Sequence, residues 1–200
     1  MPLITRGISL YLRSQMSSTK TADVVSRLCT VCGLCCNGVL FHIVRLQPAD
    51  SVKQLEALGM KVSRKKREPY FKQPCSFLND CTCSHYAARP LRCRLFECRQ
   101  LQRLADQQVT EDDVMHAIGD VKRRVANVEA MLQHAGNTSV HLPLSERYEQ
   151  VLASSGHAGA TTPRRQLIEE MTGLNQVLNH DFRREPGEGG RPTRDEGSLG

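Results

Sequence analysis

Residues 29–36 read Cys-Thr-Val-Cys-Gly-Leu-Cys-Cys, four cysteines in eight positions. An isolated cysteine makes a serviceable small buried hydrophobe, but a run of Cys29-x2-Cys32-x2-Cys35-Cys36 gathers several soft donors in one place. Two intervening residues let a tight turn aim successive sulfurs at a common ion, and three such sulfurs can take three corners of an iron-sulfur cluster. Gly33, inside the run, admits backbone angles that a bulkier residue resists. A second set follows at Cys75, Cys81, Cys83, Cys93 and Cys98, so all nine cysteines lie between positions 29 and 98. Nine thiols exceed what one tetrahedral ion uses, which predicts either two sites or one site with spectators.

The composition around this stretch explains why such a staple is needed. Four Tyr, five Phe and no Trp in 200 residues leave few large rings to bury, so a core must come from Leu, Val and Ile or from ligand bonds. The first hundred residues carry 16 basic and 6 acidic side chains, the second hundred 11 and 15, so the two halves differ in character. Residues 1–15 hold a short apolar run broken by Arg6 and Arg13, which predicts neither a signal peptide nor a membrane helix. A cytoplasmic, reducing compartment is therefore expected, and there an odd number of cysteines points to metal thiolates rather than disulfides. Zinc and iron both accept four thiolates in tetrahedral arrangement, so the metal stays open. The C-x3-C-x2-C spacing of reductive radical clusters is missing, because position 39 is Val.

Outside the cysteines the chain divides by texture. Residues 22–28 can form a turn or two of helix, 39–44 (VLFHIV) reads as a short strand, and Pro48 suits the opening of a helix bearing Val52, Leu55 and Leu58, with Gly59 as its stop. The polar stretch 61–75 reads as a hairpin or a loop, and 75–98 is too irregular for a long element. Thr110 followed by three acidic residues starts a helix whose stripe is Val114, Ile118, Val121, Val125, Val128 and Leu132. A second long helix opens at Thr162-Pro163 with Leu167, Ile168, Met171, Leu174, Val177 and Leu178 on its stripe, weakened by Gly173, and a short helix is expected at 145–153. These stripes are expected to pack on each other or on the cysteine module rather than to form a coiled coil. The predicted class is α+β, predominantly helical: a small cysteine-rich, metal-stapled module with short strands plus C-terminal helices. The expected plan is a flexible segment over 1–21, a metal-binding domain over 22–105, a helical extension packed on it over 106–183, and a disordered tail over 184–200.

The combined pattern is Cys29-x2-Cys32-x2-Cys35-Cys36, then Cys75-Ser-Phe-Leu, then Cys83-x2-Tyr86-x2-Arg89-Pro90-x2-Cys93-Arg94-x-Phe96. It resembles the CxxCxxCC family of zinc- or iron-chelating domains, which includes the YkgJ-like cysteine-cluster proteins and, as longer relatives, the flagellin lysine N-methylases. The resemblance covers about positions 29–98. It implies that Cys29, Cys32, Cys35, Cys36, Cys75, Cys83 and Cys93 hold zinc or an iron-sulfur cluster, with Tyr86, Arg89 and Arg94 standing behind them. Cys81 and Cys98 fall outside this pattern, and His85 sits where an aliphatic residue is usual. For short relatives the resemblance implies metal binding; the methylase relatives imply an iron-sulfur-dependent methyl transfer to protein lysines, which would need a cosubstrate site that the sequence does not display.

The arginines among the second cysteine set make physical sense, because positive charge favours ionised sulfur over thiol. Pro90 restricts Arg89 to extended angles. The run Arg64-Lys65-Lys66-Arg67 has only Tyr70 and Phe71 beside it, a poor stacking platform, and reads as a solvated loop rather than a nucleic-acid site. No paired histidine spacing, phosphate loop or nucleophile elbow is present. The expected partner is a metal ion, with a protein docked on the C-terminal helices as the adaptor alternative and no membrane.

Overall fold

The computed structural model describes residues 23–65, 67–154 and 162–184. The segment expected to be flexible over 1–21, and all but the first residue of the expected disordered tail, lie outside the described residues. Arg184, that first residue, is buried. The architecture is α+β and mostly helical, as the cysteine-rich sequence predicts. Helix α1 covers residues 23–32. Then come β1 (Ile43–Arg45), α2 (Val52–Ala57), β2 (Val62–Ser63), β3 (Tyr70–Lys72), β4 (Leu78–Asn79), β5 (Thr82–Cys83), a 3-10 turn (Tyr86–Ala88), α3 (Leu91–Leu95) and α4 (Arg99–Ala105). Three longer helices follow: α5 (Glu111–His134), α6 (Leu144–Ser154) and α7 (Thr162–Val177), the last running into a π-turn at Leu178–Phe182.

The polar stretch after α2 does form a hairpin, with β2 antiparallel to β3 and β1 on the other side of β3. Phe71 is the hinge of this small sheet, opposite Val44 on one side and Val62 on the other. The strand expected at 39–44 shrinks to Ile43–Arg45. Val39 and Leu40 are diverted because Gly38 (φ +85°) turns the chain, Asn37 Oδ1 accepts from Val39 N at 3.1 Å and the Leu34 carbonyl accepts from Leu40 N at 3.1 Å. Helix α2 likewise starts later than Pro48. Residues 47–50 close a turn in which Asp50 Oδ2 accepts from Gln47 N at 2.7 Å, and Ser51 then caps the helix by accepting from Gln54 N. Gly59, at φ +96°, ends the helical hydrogen bonding where the sequence placed its stop.

Helix α5 follows its sequence closely. Thr110 and Asp113 form a reciprocal capping box, and the six stripe residues from Val114 to Leu132 are all buried. The α5 and α7 stripes pack on each other more extensively than any other pair of elements, so both are consumed within the chain. Ile168 is a correction to the expected α7 stripe: it is exposed, one step of about 100° round from buried Leu167. Two cores result. The larger joins Leu28, Leu34, Leu40 and Phe41 from the cysteine region to Val121, Val128, Leu132, Leu174 and Phe182 from the helices. The smaller lies under the sheet and comprises Val44, Leu46, Leu55, Met60, Phe71 and Phe77. At about 1.5–3 kcal/mol for each fully buried large aliphatic or Phe side chain, aliphatic burial carries a core that aromatics cannot. Among the described residues, no helix is long and apolar enough to cross a membrane.

Candidate metal centre

The first cysteine pair does not sit in a tight knuckle, as the C-x2-C spacing predicts. The helix expected to end at 28 continues through Cys29 and Cys32, so the two thiols lie three residues apart on one face of the last turn of α1. Gly33 (φ +68°) then stops the helix, its N–H still bonded to the Cys29 carbonyl at 3.2 Å. The Gly33 carbonyl accepts from Cys36 N (2.9 Å) and Asn37 N (3.1 Å), a tight turn that holds Cys35 and Cys36.

The second set is sewn to the first by backbone. Cys75 N donates to the Cys36 carbonyl at 2.8 Å, and the carboxamide of fully buried Gln73 donates to the Cys35 carbonyl at 3.1 Å. Cys81 occupies the turn between β4 and β5, and Cys83 pairs with Leu78 across that hairpin. Cys93 lies in α3, and Cys98 is the N-cap of α4. All nine cysteines are thiols; Cys29 is exposed and the others are half-buried.

All nine also line one cavity of about 200 Å³, with Tyr86, Arg89 and Arg94 on its wall. The structure thus brings together every cysteine that the sequence singled out and adds the two that the pattern left aside. Burial pushes the Cys32 thiol up to about 12; a backbone contact at Leu34 opposes this, while Cys98, Cys29 and Cys81 reinforce it. Burial likewise pushes the Cys75 thiol up to about 12, opposed by the backbone at Phe77 and reinforced by Cys36, Cys93 and Cys83. Both groups are therefore neutral near pH 7 unless a cation stabilises the thiolate. Among the described residues, no group of three or more His, Cys, Asp or Glu side chains is placed so as to hold a metal ion; the thiols line one cavity without closing on a common point. The donor set itself, sulfur throughout and for the most part half-buried, suits zinc or iron and is wrong for hard cations such as magnesium or calcium.

The basic residues take varied positions. The Arg89 guanidinium lies 3.4 Å from the Tyr86 ring centroid and its Nε donates to the Tyr86 carbonyl at 3.0 Å, so the two motif residues form one unit at the cavity wall. Arg89 is extended (φ −57°, ψ 140°), as the following Pro90 requires. Arg94 is exposed on α3. His85 stacks on Phe77, with ring centroids 4.3 Å apart. Arg64, from the basic run, is held in an exposed two-pronged pair with Glu56 at 2.7 and 2.8 Å. A cation that sequence reasoning missed is Lys122 on α5, whose Nζ reaches Cys81 Sγ at 3.7 Å. Nothing in the spacing announces it, since 41 residues separate the two.

Residues 28–115 match the family model CxxCxxCC, described as "Putative zinc- or iron-chelating domain". The matched span contains all nine cysteines and ends just inside α5. No curated protein and no solved structure matches the chain.

Proposed function

Taking residues 28–115 as a CxxCxxCC domain, we propose that the protein chelates zinc or iron through the thiols of its cavity and works in a reducing compartment such as the cytosol. The observation that carries this reading is the convergence of all nine cysteines, drawn from three separate stretches of chain, on one cavity. Cys29, Cys32, Cys35, Cys36, Cys75, Cys83 and Cys93 are the ligand set that the family pattern supplies. Tyr86 and Arg89 stiffen the wall beside them, and Arg94 adds positive charge near the developing thiolates.

When bound, zinc supplies a structural crosslink between these stretches, and an iron-sulfur cluster supplies one-electron chemistry. The chain's own contribution is to hold the sulfurs, exclude bulk water from Cys32 and Cys75, and offset negative charge. Metal binding couples to folding, because the two buried thiols must lose protons to bind and the stretches that carry them are otherwise tied by few backbone bonds.

The test is metal and acid-labile sulfide analysis, with an absorption spectrum, on full-length protein purified without oxygen and without a metal-binding tag. Stoichiometric zinc in a colourless protein, or iron with matching sulfide and a brown chromophore, supports the reading and chooses between its two forms. Metal-free protein that refuses both zinc and iron on reconstitution sinks it.

A further inference from the structure

We propose that the cavity holds two metal centres, one built from Cys29, Cys32, Cys81 and Cys98 and the other from Cys36, Cys75, Cys83 and Cys93, with Cys35 in neither. This rests on the metal-chelating reading above and divides its ligands.

The division follows the packing. Cys32 and Cys98 pack against the larger core, whereas Cys75, Cys83 and Cys93 pack against the smaller core under the sheet. Cys81 belongs with the first group: its Sγ is 3.2 Å from where a Cβ on Gly33 would stand, hard against the end of the helix that carries Cys29 and Cys32. Cys36 belongs with the second, its carbonyl bonded to Cys75 N at 2.8 Å. Cys35 stands between the two groups: its side chain packs against the larger core with the first, yet it follows the Gly33 turn that ends α1, and its carbonyl is held by Gln73 on the approach to Cys75.

Each quartet then has the four sulfurs that a tetrahedral ion or a cluster takes. The arrangement also accounts for the odd ninth thiol and for Cys81 and Cys98, which a single seven-cysteine site leaves idle. Three stretches of chain each serve both centres: the first run divides after Cys32, the β4–β5 hairpin between Cys81 and Cys83, and the α3–α4 segment between Cys93 and Cys98. Two centres side by side therefore fasten the cysteine region to itself twice. A divalent ion with four thiolates is left with about two negative charges, and Lys122 beside Cys81 offsets part of that on the first centre.

The experiment titrates Zn²⁺ into the metal-stripped, reduced full chain and counts bound ions by native mass spectrometry. Two ions per chain are expected for the wild type and for Cys35→Ser, and one each for Cys32→Ser and Cys75→Ser. Cys29→Ser and Cys83→Ser serve as second variants for the two centres if the buried replacements fail to fold, Cys29 being exposed. One ion in the wild type overturns the division but leaves the chelating reading standing. A folded single variant that loses both ions, or a Cys35→Ser protein that loses one, overturns the division too. A wild type that binds no zinc overturns the division, and one that refuses iron on reconstitution as well overturns the chelating reading with it.

Discussion

The Lys122 ammonium lies 3.7 Å from Cys81 Sγ and 3.0 Å from the Val31 carbonyl oxygen, so one side chain of α5 touches both the β4–β5 turn and the end of α1. Its charge lowers the cost of gathering thiolates at that end of the cavity, and its hydrogen bond satisfies a carbonyl in the last turn of α1. Replacing Lys122 by Met keeps the length of the stem and removes the charge. The expected outcome is about a tenfold loss of zinc affinity for one of the bound ions, read by competition with a chelator, with the fold unchanged by circular dichroism. Equal affinities would mean that Lys122 anchors the helix and does nothing for the metal.

Gly33 tests the same junction from the backbone side. Its φ of +68° suits glycine, and a Cβ there would meet Cys81 Sγ at 3.2 Å, Cβ at 3.3 Å and Cα at 3.4 Å. Gly33→Ala is expected to destabilise the protein by about 1–2 kcal/mol from the left-handed backbone alone. Because Cys81 must also give way, retention of one zinc should fall in the same variant. Urea unfolding alongside metal analysis separates the two effects, and a stable variant that keeps all its metal would contradict the close approach.

The buried thiols make the metal-stripped protein sensitive to alkali. Burial raises Cys32 and Cys75 from an ordinary 9.0 to about 12 in the folded state. A raised folded value contributes stability that is fully present below about 9 and lost as pH rises towards about 12, because the unfolded chain ionises first. The urea midpoint of stripped, reduced protein should therefore fall between pH 8 and pH 10.5. The fall should be smaller in a Cys32→Ala/Cys75→Ala double variant, which isolates these two groups from other titrations. A flat wild-type profile, or the same fall in both proteins, would refute the assignment.

Leu174 is fully buried between α5 and α7, in the core that also holds Leu28, Leu34 and Phe41. Truncation to Ala should cost about 2–5 kcal/mol. Since that core is shared with the end of α1, thermal release of metal should shift down together with loss of helix. Two separated transitions, with metal release unmoved, would show that the helices and the cysteine region melt independently.

Legibility in the sequence followed the range of the forces involved. Helix α5 could be read almost to its ends, because a capping box and a regular stripe over 24 residues are local signals. Ile168 could not be placed, since its neighbour Leu167 already faces α5 and only the packing partner decides which side of a broad stripe is covered. The strand expected at 39–44 lost its first half to the Gly38 turn and the Leu34 carbonyl, which outbid β-propensity. For the cavity, spacing revealed the dense thiols and the Arg89-Pro90 turn. It misjudged the backbone at Cys29 and Cys32, where helix continues through the motif. It passed over Cys81, Cys98 and Lys122 because their place depends on how the β4–β5 turn and α5 dock against α1, a tertiary fact with no local signature.

Asp50 shows how a residue outside the cysteine pattern sets the position of one inside it. Its Oδ1 accepts from Leu91 N and its Oδ2 from Gln47 N, both at 2.7 Å, so one carboxylate ties the turn before α2 to the first N–H of α3. Helix α3 is five residues long and carries Cys93 at its centre, too short to hold its own start without such an acceptor. Removing the carboxylate in Asp50→Ala leaves two N–H groups without their charged partner and should cost about 2 kcal/mol, near the middle of the range for hydrogen bonds to charged groups. Asp50→Asn retains one acceptor oxygen and should recover part of the loss. If α3 positions Cys93 for metal, Asp50→Ala also weakens zinc retention, while a distant truncation of equal cost, such as Leu174→Ala, leaves affinity measured under folding conditions unchanged. Equal zinc affinity for Asp50→Ala and wild type, at a matched loss of stability, would show that Cys93 reaches its place without help from the cap.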